Sequence, residues 1–239
     1  MIQSKWKLEE LYPSIFHLQF ANHYDACMHW LRYQENYESP KFRNKIFTLL
    51  EYMEWYAKNQ CEWKKTKGKK KVPVQMFSYP GDWGGFNVPS YVFDRLTRDT
   101  IPDWNGYDVF MHAIVKAIKS LGHEKFYLIG TVAGRNAERY LDHEVSHGLY
   151  YVNDTYRDEA QYIFYNNTNV LVCQVVREYL TEQGYCNEVV VDEAIAYFAT
   201  GLPDKLKKSE SCKKAQGPYR RLFKKTTAAL EADSFCHYV

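Results

Sequence analysis

His143-Glu144-Val145-Ser146-His147 supplies two imidazoles and a carboxylate within five residues. On an α-helix, positions i and i+4 lie on one face, so His143 and His147 can reach a single metal ion. Glu144 falls about 100° round the helix from His143, close enough to hold a water without ligating the metal. Zinc lowers the pKa of such a water to about 7, and the carboxylate can take its proton as it attacks a carbonyl. The spacing therefore specifies hydrolysis and leaves the substrate open.

The motif needs elements to position it. Residues 124–132 read as a strand, rich in aromatic and β-branched residues with a Gly near the end. Ala133-Gly134 then breaks the chain, and Asn136 can cap a helix running to about Val152. Ala137, Leu141, Val145, Gly148 and Val152 recur at helical spacing and form an apolar stripe. His143, His147 and Tyr140 lie off that stripe, on a face that can look into a cleft. This order of strand, short turn and motif helix resembles the zincin metallopeptidases, over roughly residues 125–201. The resemblance implies zinc-dependent cleavage of peptide bonds. It also implies that the strand at 125–132 edges the cleft and pairs with an extended substrate.

Catalytic zinc takes three protein ligands and leaves a fourth position open. The metzincin continuation fails, because Tyr150 and Asn153 stand where its Gly and third His belong. The gluzincin arrangement, with a Glu on a later helix, suits residues 187–201, which Asn187 can cap and Gly201 with Pro203 can end. Glu193 lies there, 46 positions after His147 (193 − 147). Val189, Val190, Ala194, Ile195 and Phe198 surround it, so a buried Glu193 needs a partner. Asp192 is a rival ligand, or an acceptor that fixes a histidine tautomer. The resemblance also points to Tyr197, one turn on, as a hydrogen-bond partner of a ligand or a donor to the oxyanion. Tyr185 and His237 are further candidates for that donor. Asp154, Asp158 and Glu159 are nearer in sequence, but suit a helix end and a helix N-terminus. His17, His23 and His29 recur every six residues, share no single face, and read as non-ligands.

The whole chain narrows the partners. It has 239 residues and a formal charge of +2, so no global basic field argues for nucleic acid. No run approaches the ~18 apolar residues of a membrane-spanning helix. The first ten residues lack the apolar core of a secretory signal, which points to a cytoplasmic location. Six cysteines without C-x-x-C spacing read as free thiols in a reducing compartment. The expected partner is a peptide or protein substrate, not a membrane.

Residues 15–33 and 41–63 read as helices, giving a helical N-terminal subdomain over 1–71 packed on a metallopeptidase domain at 72–239. The basic run 64–71 reads as a surface loop, 72–79 as a strand, and the turn-rich stretch 80–89 as a loop that walls the cleft. Further helices are expected at 90–98, 107–121, 155–165, 169–183 and about 218–232. The expected class is α+β, mostly helical, with a small sheet. In this reading His143, His147 and Glu193 bind one catalytic Zn2+ and Glu144 is the general base. Two other readings remain open: a non-catalytic protein-binding module with a relic or structural metal site, and a zinc amidohydrolase acting on a non-peptide amide.

Overall fold

The computed structural model describes residues 6–59, 77–134 and 137–236. Two strands open it, β1 (Trp6–Tyr12) and β2 (Ile15–Phe20), followed by helices α1 (His23–Glu38), α2 (Leu49–Asn59) and the single turn α3 (Tyr79–Asp82). Strand β3 (Gly85–Pro89), the short α4 (Tyr91–Arg95), α5 (Gly106–Ser120) and strand β4 (Tyr127–Val132) come next. The chain then turns helical, through α6 (Ala137–Val152), α7 (Asp154–Tyr162), α8 (Val170–Glu182), α9 (Val190–Thr200) and α10 (Glu210–Cys236). The class is α+β and mostly helical, as the periodicities indicate.

The four strands form one mixed sheet in the order β1-β2-β4-β3. A tight turn, with Ser14 at φ 64°, joins antiparallel β1 and β2. Strand β2 runs parallel to β4, with Leu18 opposite Gly130, and β3 returns antiparallel, with Asn87 opposite Ile129. Side chains alternate across β4. Leu128 and Val132 join Phe20, Trp30 and Met111 in one apolar layer. Tyr127 and Ile129 join Val145, Leu149, Ile195 and Phe198 in the other. Helices α1 and α5 thus cover one face, and α6 with α9 covers the opposite one.

Two glycines allow the layers to close. A Cβ on Gly130 would stand 2.3 Å from Cε2 of Trp30, so the indole rests directly on the strand backbone. A Cβ on Gly148 would meet Cδ1 of Ile15 at 3.0 Å, which lets α6 lie close on β2. The position of the motif helix is set by this contact.

Three expectations need correction. The helix expected from residue 15 is a strand as far as Phe20, and helix begins only after Asn22, whose side chain accepts from the amide of Asp25. Phe16, Leu18 and Phe20 alternate with His17 and Gln19, a strand period that the helical reading of 15–33 passed over. The opening segment thus contributes β1 and β2 to the common sheet. Strand β4 is not an edge: β2 and β3 pair with both its sides, so no extended substrate can add to it. The free edge near the motif belongs to β3, inside the stretch expected to be loop.

Asn105 caps α5 with a reciprocal contact from Asp108, and Asn169 caps α8. Helix α9 starts at Val190, with no side-chain cap from Asn187, and ends at Gly201 with φ 151°. Cys27, Cys173, Cys186 and Cys212 are free thiols. No described helix is long and apolar enough to cross a membrane. The basic run 64–71, most of the strand expected at 72–79, Asn136 and His237 lie outside the described residues.

Candidate metal centre

Helix α6 buries Val145 and Leu149 against the sheet and turns His143 and His147 toward α9. Helix α9 places Ala194, Ile195 and Phe198 in the same apolar layer, which leaves Asp192 and Glu193 facing α6. Packing of these two helices brings together residues half a hundred positions apart.

Nε2 of His143 and Nε2 of His147 lie 3.2 Å apart. The Glu193 carboxylate spans both rings, with Oε1 3.4 Å from His147 Nε2 and Oε2 3.6 Å from His143 Nε2. One donor atom from each of the three residues lies within 4.8 Å of the others. Tetrahedral coordination with bonds of 2.0–2.1 Å places ligand atoms about 3.3 Å apart. Oε2 of Glu193 is buried without a hydrogen bond, an orphaned acceptor that a cation would satisfy. The donor set fits a divalent ion of borderline softness.

The outer groups orient the inner ones. Asp192 Oδ1 stands 3.0 Å from His147 Nδ1, an arrangement that leaves Nε2 to face the centre. Thr200 gives its hydroxyl proton to the Ala196 carbonyl at 2.8 Å and presents its oxygen 3.4 Å from His143 Nδ1. The His143 and Tyr197 rings lie 4.6 Å apart, centroid to centroid.

Electrostatics agree with the geometry. Burial would lower the His147 pKa, but the Asp192 and Glu193 carboxylates outweigh it and hold the ring well above its ordinary value. Burial works to raise Glu193, yet His147 and His143 keep it below the usual carboxylate range. The pocket attracts positive charge. Glu144 is displaced the other way, upward, because burial outweighs the two imidazoles beside it. A carboxyl shifted upward in this way is a better proton acceptor and donor near neutral pH.

Asn87 on β3 holds that carboxyl, donating from Nδ2 to Glu144 Oε2 at 2.6 Å. The Tyr127 hydroxyl on β4 donates in turn to Asn87 Oδ1. Gly85, also on β3, is so close that a Cβ there would meet Glu144 Oε1 at 3.2 Å. Of the stretch suspected of walling a cleft, Gly85 and Asn87 stand against Glu144 from β3, and Asp82 and Trp83 line the neighbouring cleft. Asn87 and Tyr127 escaped sequence reasoning because neither lies near the motif in the chain; the only hint was an Asn among turn residues.

Tyr185 and Tyr197 both line a cleft beside the centre. Burial pushes the Tyr197 hydroxyl above the usual tyrosine range, so it remains a donor. The structure gathers no other expected candidate here. Asp154 pairs with Arg157 and Lys125 on the surface, and Asp158 and Glu159 are exposed. His17, His23 and His29 hold partners elsewhere, the Thr131 hydroxyl and the Trp83 and Asp25 carbonyls. Comparison of the chain with protein-family models, curated proteins and solved structures gave no match.

Proposed function

We propose that this protein is a zinc-dependent peptidase. The observation that carries the reading is the convergence of His143, His147 and the orphaned Oε2 of Glu193, with Glu144 beside them in a separate hydrogen-bonded setting. The two rings and Glu193 would hold the ion. When bound, zinc supplies Lewis acidity, polarising a carbonyl and acidifying water. Glu144 takes the water's proton and returns it to the leaving amine, with Asn87 and Tyr127 fixing its carboxyl. Tyr197 or Tyr185 donates to the oxyanion.

The substrate chain has one approach in this reading. Gln34 Oε1 already takes the outward amide of Asn87 at 2.9 Å, which blocks the β3 edge there. Gly85 has the same outward parity and no side chain, so a main chain can come alongside it next to Glu144. A structural metal site has no need of a buried, separately held carboxyl, which disfavours the non-catalytic module. The free thiols suit a reducing compartment, and a cytoplasmic location belongs to the proposal.

The test compares wild type with Glu144→Gln on a peptide library and on simple non-peptide amides, with zinc measured in both. Retained zinc and lost peptide cleavage in the variant are expected. Unchanged cleavage removes Glu144 as base, and cleavage of non-peptide amides alone reassigns the substrate.

A further inference from the structure

The cleft beside the metal centre has about 400 Å³ of space, within the range of small-ligand sites. Its chemistry is one-sided. Glu35, Glu38 and Asp82 line it together with Tyr52, Trp55 and Tyr197, and no described Lys, Arg or His does.

Glu35 and Glu38 are one turn apart on α1 and so share a face. Glu35 is 6% exposed, and among the described residues the hydroxyls of Tyr52, Tyr79 and Ser39 stand nearest its carboxyl. Burial pushes its carboxyl up to about 7. Glu38 is half-buried and accepts from Gln34 Nε2 at 2.6 Å. Among the described residues the charges of Glu193, Glu144 and Glu35 bear on it, and His147, which the centre already uses, opposes them. Asp82 differs, since it accepts from Tyr56 and Ser78 at 2.6 and 2.7 Å. Burying carboxylates without a cation is unfavourable unless something arrives to neutralise them. Two rings of its wall already take an ammonium, Trp55 from Lys41 at 5.0 Å and Tyr179 from Lys205 at 5.7 Å, so the wall suits a cation.

We propose that this cleft is a specificity subsite for a cationic group of the substrate, with Glu35 and Glu38 as its counter-charges. The proposal rests on the peptidase reading for the word substrate, while the binding itself does not. The shared chemistry is an alkylammonium or guanidinium group. It can come from a Lys or Arg side chain next to the scissile bond, or from a free peptide N-terminus. Tyr197 lines this cleft and its ring lies 4.6 Å from that of His143, so the bound cation sits next to the metal centre.

Binding is measured on Glu144→Gln protein, which does not turn over, with pentapeptides carrying Lys, Arg, norleucine or citrulline at one position. Each peptide is used N-acetylated and free. Trp55 and Trp83 in the cleft wall give the fluorescence signal. The Lys and Arg peptides should bind roughly 30-fold more tightly than their neutral counterparts. Added Glu35→Gln or Glu38→Gln should abolish the difference while neutral peptides bind as before. Preference that survives acetylation assigns the side chain, and preference seen only with free peptides assigns the N-terminus. Equal binding of charged and neutral peptides overturns the subsite, even if wild type cleaves them. Charge-selective binding by a protein that cleaves nothing keeps the subsite and overturns the peptidase. Gln is isosteric and removes a buried charge, so neither variant should unfold, and each alone suffices for the test.

Discussion

Asn87→Ala isolates the device that holds the proposed base. The substitution removes the 2.6 Å bond to Glu144 Oε2 and takes away the acceptor of the buried Tyr127 hydroxyl. A hydrogen bond to a carboxylate contributes roughly 1.5–3 kcal/mol, so a loss in kcat of about ten- to a hundredfold follows. Stranding the Tyr127 hydroxyl costs a further ~1–3 kcal/mol of stability. The two effects separate in a double variant: Tyr127→Phe added to Asn87→Ala should restore stability without restoring kcat. The assay is steady-state peptide cleavage with zinc content and denaturant midpoint measured on the same preparations. KM and zinc content should stay near wild type, because Asn87 touches neither a ligand nor the cleft. A kcat within about threefold of wild type in Asn87→Ala, alongside an inactive Glu144→Gln, would refute the positioning role.

Asp192→Asn should weaken zinc binding about ten- to a hundredfold, read by competition with a chelating dye, because it removes the negative charge from the acceptor that orients His147. Glu35 gives a pH prediction. Its folded pKa is raised from the ordinary 4.5 to about 7, so the fold favours the protonated form. The stability it lends is complete below about pH 4.5 and is lost as pH rises to 7. Glu35→Gln should therefore stabilise the protein at pH 8 by up to roughly 3 kcal/mol, with the gain fading toward pH 5. A gain that grows on acidification contradicts the sign.

The half that holds the candidate site was legible because its signals are local. His143, Glu144 and His147 declare a helix face by spacing alone, and the apolar context of Glu193 made its carboxylate conspicuous 46 residues on (193 − 147). The helices expected at 107–121 and 169–183 stand at Gly106–Ser120 and Val170–Glu182, whereas Asn187 does not cap α9. What escaped was set by tertiary contact. Ile15 to Phe20 does alternate, with Phe16, Leu18 and Phe20 against His17 and Gln19, but over too few residues to set it apart from the helix that follows; pairing with β4 makes it a strand. The central place of β4 could not be read without knowing that β2 flanks it. Asn87, Tyr127, Glu35 and Glu38 carry no motif; a polar stretch on α1 reads as solvated until the cleft it lines is seen.

The account depends on one ion joining α6 to α9. Elemental analysis of wild type and Glu193→Ala, each purified without chelators, tests it most directly. The prediction is one zinc ion per wild-type chain, lost on mutation, with chelation lowering the wild-type melting temperature. A metal-free wild type whose melting ignores chelators, or full zinc in Glu193→Ala, would contradict it.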